Sequence, residues 1–323
     1  MVRQDKILLF SHFVLERDMG SNIKNKLNLR YQDGFTLIEL MIAIPLGLLV
    51  MFAVLQIFTA NVQGLNTQNA FSRVQESGRM STEILTRDIR SADFWGCIHD
   101  TSLIKNLEGN ASVVVPTGQQ GVLGVENYTS ATQIGGISVK SGTDTLTLRG
   151  STGFPDAKIA AAMVSASAGI SFTAGSGIAT GDVLLIVDCE GADTLTNTSI
   201  VDGTISHASA LSNTYGIDAQ VLIPYIKIYF IGINGEGTNS LYISENGSVT
   251  ELVRGVNDLQ LLYGEDTTND GSADTVSNAD GVTVMGNVLF VRVQLVSDSG
   301  SDTSAVSLQR THTVTVNIRN RTL

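Results

Sequence analysis

The chain is short of the residue types that most site chemistry requires. Its four histidines (His12, His99, His207, His312) and two cysteines (Cys97, Cys189) show no zinc-ligand spacing. His99 beside Asp100, and His312 near the C-terminus, read as isolated surface or core residues. No Gly-x-Ser-x-Gly elbow occurs, and no phosphate-cradling glycine loop opens a helix. Carboxylates are plentiful, so an incidental pair of them does not argue for an enzyme. Basic residues are scarce, with 20 Lys and Arg against 31 Asp and Glu. Such a balance argues against a general phosphate-binding role, which needs basic patches, so no nucleic-acid binding is predicted. Only four prolines are present, and neither a Pro-rich linker nor an exact internal repeat is visible.

One stretch lacks charge altogether. Between Glu39 and Arg73 no ionisable side chain interrupts the sequence, and residues 35–60 are mostly apolar. That is long enough for the roughly 20 residues a bilayer crossing requires. Glu39 stands near the start of this run, and a carboxylate at mid-membrane costs about 2.5–3.5 kcal/mol on insertion scales, less near an end. Such an acid needs a partner. An ordinary secretory signal would instead carry a small-residue cleavage site after the apolar region. Thr59-Ala60-Asn61 imitates one poorly, and that reading leaves Glu39 without a role.

The segment Gly34-Phe35-Thr36-Leu37-Ile38-Glu39, with a basic leader before it and the apolar run after it, resembles the class III signal of type IV prepilins. The resemblance implies that a membrane-embedded prepilin peptidase cuts between Gly34 and Phe35 and methylates the new amino terminus at Phe35. Glu39 would then neutralise the terminal amine of a neighbouring subunit during assembly. The physics agrees, because two opposite charges that are each costly alone become tolerable as a pair. A leader of residues 1–34 is long, and Met19 begins a shorter one carrying Lys24, Lys26 and Arg30. Whether Met1 or Met19 starts the chain stays open. Either way the positive leader remains cytoplasmic and the C-terminal part is exported.

Removing residues 1–34 takes away six basic and four acidic side chains, leaving 14 and 27 and a net charge of −13. Outside the inner membrane an even cysteine pair favours a disulfide between Cys97 and Cys189; two unpaired buried thiols are the alternative. Closing so long a loop contributes at most about 4–5 kcal/mol in the chain-entropy picture.

Helical spacing continues past the apolar run. Phe71, Val74, Gly78, Ser81, Leu85 and Ile89 recur at three- and four-residue steps, with charges on the other faces. One helix from Phe35 to about Ala92 is predicted, bent at Pro45. Strand signals follow Phe94-Trp95-Gly96-Cys97: residues 143–149, 182–188, 219–230, 240–244, 258–263, 288–295 and 311–319. Pro224 suggests an edge or a bulge in its strand. Residues 165–181 and 196–215 read as connections rich in Gly and small polar side chains. The fold class is therefore α+β, with one long N-terminal helix packed on an antiparallel sheet, which the resemblance to type IV prepilins implies is pilin-like. Its parts are a leader (1–34), a transmembrane half-helix (35–60), an amphipathic half-helix (61–95) and a periplasmic β-rich domain (96–323).

Within that domain, Gly181 to Glu190 with Ala192-Asp193, the passage Glu251 to Gln260 leading into Tyr263-Gly264, and the ending Val314 to Arg321 are similar to elements of PilW-type minor pilins. The resemblance implies a minor pilin of the type IV pilus, held in the inner membrane by a single pass and then placed in the pilus, at its tip. Implied partners are the prepilin peptidase, the assembly platform, other minor pilins, the major pilin and a tip adhesin. Pilus assembly, twitching, adhesion and DNA uptake would lie downstream. A minor pseudopilin of type II secretion shares the layout and stays open as an alternative. So does a membrane-anchored adhesin or enzyme, which would not need Glu39.

Asp266, Asp270 and Asp274 surround a glycine turn as in a calcium loop. Thr268 stands where Asp or Asn is preferred, and the twelfth position holds Ser277 rather than Glu. A solvated acidic hairpin turn is the preferred reading over Ca²⁺ binding, and no other cofactor is implied.

Overall fold

The computed structural model describes residues 34–106, 121–129, 133–173, 175, 177–300 and 307–321. The leader with Met19, apart from Gly34, lies outside the described residues. The chain divides into two units, Met1–Phe58 and Thr59–Leu323.

Helix α1 (Leu37–Ser91) begins in the first unit and ends in the second, close to the span predicted, with Pro45 carried inside it. In the first unit every described residue, 34–58, is exposed. The helix there is long and apolar enough to cross a membrane.

In the second unit α1 buries Ala70, Val74, Gly78, Ser81, Leu85, Asp88 and Ile89. The three- and four-residue steps place these on one stripe. Phe71, expected on that stripe, is half exposed, and Ala70 takes the inward position one residue earlier.

The strands are β1 (Ile104–Asn106), β2 (Val122–Val125), β3 (Gln133–Ile134), β4 (Ile137–Val139), β5 (Thr145–Lys158) and β6 (Ile170–Ser171). Next come β7 (Val183–Val187), β8 (Ala192–Thr196), β9 (Thr204–Ile205), β10 (Gln220–Ile233) and β11 (Asn239–Glu245). The last five are β12 (Ser248–Arg254), β13 (Val256–Glu265), β14 (Thr275–Ser277), β15 (Val288–Asp298) and β16 (Gln309–Asn317). Two main sheets result where one was expected. The larger runs β1-β8-β7-β10-β11-β12, with β5 and β4 also paired to β10; the smaller runs β14-β13-β15-β16. Pairing is antiparallel except between β1 and β8, which are parallel.

Strand β15 shows why these segments are strands. Val291, Val293 and Leu295 turn into the core while Arg292 and Gln294 face water, an alternation that only the two-residue period of a strand satisfies. Pro224 falls where one side of β10 has no partner: β7 pairs as far as Leu222, and β11 begins at Lys227. The lost N–H therefore breaks no ladder.

The main core joins Leu85 and Ile89 of the helix, and Ala92 just after it, to Tyr229, Ile231, Leu259, Val291, Val293 and Leu295 from both sheets. The two stretches read as plain connections build a second core. Ile170, Phe172, Ile178, Ile205, Leu211 and Tyr215 pack there against Leu184, Ile186 and Leu195.

Candidate functional site

The helix start is built from Thr36 and Glu39. The Thr36 side chain accepts the Glu39 N–H at 3.4 Å, while the Glu39 carboxylate accepts the Thr36 N–H at 3.0 Å and its hydroxyl proton at 2.9 Å. This is a capping box, in which two backbone donors that the first turn leaves orphaned are satisfied reciprocally. The spacing Thr36-x-x-Glu39 carries that signal in the sequence, and the expectations above used Glu39 only as an acid awaiting a neighbour. Phe35 is 88% exposed. A Cβ added to Gly34 meets nothing within 4 Å, and Gly34 has no positive φ. Nothing in the fold of the described residues requires glycine at that position.

The far end of α1 is held by polar ties. Asp88, on the buried stripe, accepts from Lys227 Nζ at 2.9 Å and from the Tyr229 hydroxyl, both on β10. Burial pushes its carboxyl up, but the bonds from Tyr229, Lys227 and Arg87 outweigh burial and hold it below the usual carboxylate range. Just beyond the helix, Asp93 accepts from Arg321 Nε at 2.6 Å, from Trp95 Nε1 at 2.9 Å and from the Gly121 N–H at 2.9 Å. Asn320 Nδ2 donates to the Ala92 carbonyl at 2.8 Å, so the end of the chain clasps the helix exit. None of Asp88, Asp93 and Arg321 was singled out for this role in the sequence.

Cys97 and Cys189 form a disulfide with Cα atoms 5.2 Å apart. It joins the stretch after the helix to the β7–β8 turn.

The acidic loop Asp266 to Asp274 connects β13 to β14, which pair from Glu265 with Thr275 to Tyr263 with Ser277. It is a hairpin turn, but Asp266 is buried rather than solvated. Its oxygens accept the N–H groups of Asp270 at 3.2 Å and Gly271 at 2.8 Å. Asp274 likewise accepts from the N–H groups of Thr267 at 2.8 Å and Thr268 at 3.0 Å. The carboxylates thus close the turn by binding its own backbone. Among the described residues no three His, Cys, Asp or Glu side chains gather as a metal-ligand set.

A long helix headed by an apolar, charge-free run and followed by a largely antiparallel β-domain defines a pilin-like protein. Residues 29–55 match the prokaryotic N-terminal methylation motif, and residues 228–322 match the family of type IV pilus-assembly protein W, PilW. Together the two matches support a PilW-type minor pilin of the type IV pilus. No curated protein and no solved structure matches the chain. The first match contains Gly34, Phe35 and Glu39; the second contains the acidic hairpin and the C-terminal clasp. Cys97, Cys189 and the Gly181 to Asp193 element lie outside both. These families point to a structural protein rather than an enzyme, and the methylation motif with the apolar helix suggests membrane anchoring.

Proposed function

We propose that this minor pilin is cut by prepilin peptidase between Gly34 and Phe35 and methylated on the Phe35 amine. It waits in the inner membrane as a single-pass protein with its β-rich part in the periplasm. It then joins other minor pilins in a complex that primes assembly of the major pilin on the inner-membrane platform, and it occupies the pilus tip, where an adhesin can associate. The observation that carries this reading is the helix start. Gly34 has no structural duty among the described residues, so a demand for glycine there comes from the cleft of the processing enzyme, where a small residue lets an extended backbone enter. Glu39 is exposed beside the new terminus and, among the described residues, hydrogen-bonded to Thr36, so it can take up the amine of a neighbouring subunit. Priming matters because the first subunits must leave lipid before a full set of helix contacts compensates them.

Mass spectrometry of the protein recovered from its own bacterium tests the reading. The expected amino terminus is N-methyl-phenylalanine from position 35; a terminus that retains the leader overturns it. Glu39→Ala should leave processing intact while surface pili are lost, and a wild-type level of pili in that variant would remove Glu39 from assembly.

A further inference from the structure

Along the second-unit part of α1 runs an open groove of about 1580 Å³ whose charge is opposite to that of the chain. Six basic side chains line it: Arg79, Arg87, Arg90, Lys227, Arg310 and Arg319. Among the described residues only three acids do, Glu83, Asp93 and Glu245. The chain beyond residue 34 carries 14 basic and 27 acidic side chains, so nearly half its cations face this one surface with a ninth of its anions. Several are already engaged. Arg79 bridges Glu76 and Glu83, Arg87 and Lys227 share Asp88, and Asp93 is taken by Arg321. Arg90 and Arg310 are exposed and form no salt bridge among the described residues, so unspent positive charge remains at two separate places in the groove.

One wall of the groove is the rim of a sheet. β16 ends the order β14-β13-β15-β16, and its far side pairs with no strand among the described residues. Arg310, Thr311, His312, Thr313 and Val314 all line the groove in succession. Successive side chains of a strand point to opposite faces, so an unbroken run of lining residues means that the edge itself faces the opening. His312 meets α1 at Gly78, and Asn320 meets it at Ser91 and Ala92. The segment from His312 on β16 to Asn320 in the turn beyond it therefore follows the helix for about 20 Å, the rise of the intervening residues of α1.

We propose that this groove is a docking site for an extended acidic segment of another protein, which adds to β16 as a further strand. The unpaired edge supplies backbone donors and acceptors that only a polypeptide can match in register, and Arg90 and Arg310 select acidic side chains. A polynucleotide would satisfy the charge but not the strand edge. The inference stands on the groove and does not depend on the assembly role proposed above.

The test uses the full chain in neutral detergent and a fluorescein-labelled peptide of about six to eight residues, the length that spans the edge, alternating Glu with Val or Thr. Fluorescence anisotropy at low salt should show saturable binding, weakened at least about tenfold by the pair Arg90→Glu and Arg310→Glu and weakened by added salt. The pair Lys105→Glu and Arg292→Glu, an equal change of charge on β1 and β15 outside the groove, should leave binding within about twofold. A peptide N-methylated at alternate residues should lose affinity, because it cannot complete the ladder. Equal binding of a Lys-for-Glu peptide, or equal effects of the groove and control variants, overturns the proposal. So does undiminished binding of the N-methylated peptide, or tighter and competing binding of a single-stranded oligothymidine. Self-association of the wild-type chain that the two charge reversals abolish would assign the groove to a second copy instead.

Discussion

Asp88 is a buried polar tie between helix and sheet, and it sets an acid limit on stability. Its folded pKa lies below the unfolded value of about 3.9, because the bonds from Tyr229 and Lys227 outweigh burial. As the pH falls the unfolded chain takes up this proton first. The stabilisation is therefore complete above about pH 4 and drains away below it as the folded pKa is passed. Asp88→Asn should cost about 3 kcal/mol at neutral pH and flatten that acid limb. Urea unfolding followed through Trp95, the single tryptophan, checks both effects. Gly78 offers a second residue-scale case. Ala in place of Gly inside a helix ordinarily gains about 1 kcal/mol. Here an added Cβ would lie 2.0 Å from His312 Nε2, so the ring must leave its seat. Gly78→Ala should destabilise the domain alone but should stabilise it when His312→Ala is already present, a reversal that a double-mutant cycle reads directly.

At the scale of elements, the Cys97–Cys189 bridge ties the helix exit to the β7–β8 turn. Replacing both cysteines by serine should lower stability by up to about 4–5 kcal/mol, measured by the same unfolding experiment without reductant. The helix and the seven stronger strands were legible because each carries a local signal, an alternation such as Val291, Val293, Leu295 in β15 or an unbroken apolar run such as Val183–Val187 in β7. β12 was equally readable and went unused. Asn246 and Gly247, with φ of 49° and 88°, form the two-residue turn that joins it to β11, and Asn-Gly is a strong local hairpin signal. Gly255, between β12 and β13, needs its glycine: φ is +75°, and a Cβ would meet the Asp298 carbonyl oxygen at 2.5 Å. The second core was not legible, because Ile170, Phe172, Ile178 and Leu211 are scattered among small residues without a period and meet only through the fold. The clasp of Asp93 by Arg321 joins residues 228 positions apart, a pairing that no local spacing encodes. At the helix start the opposite holds: Thr36 and Glu39 sit three residues apart, and the capping box could be read directly.

At the scale of the whole molecule, the uncharged run of α1 in the first unit has no protein cover of its own, so lipid is its natural solvent. The chain should remain in the membrane pellet after an alkaline carbonate wash. Leu49→Arg, near the middle of the run, adds about 2.5–3.5 kcal/mol to insertion and should move a measurable share of the protein out of that pellet.

Tension drawn along α1 reaches the sheets through residues 92–97. Once the packing of the helix has yielded, the Cys97–Cys189 bridge transmits that load straight into the β7–β8 turn. The 92 positions it spans stay out of the stretched path. About 300 Å of slack is locked away in this manner, at 3.3–3.6 Å per extended residue. A subunit under pull therefore cannot release this loop while the bond is intact.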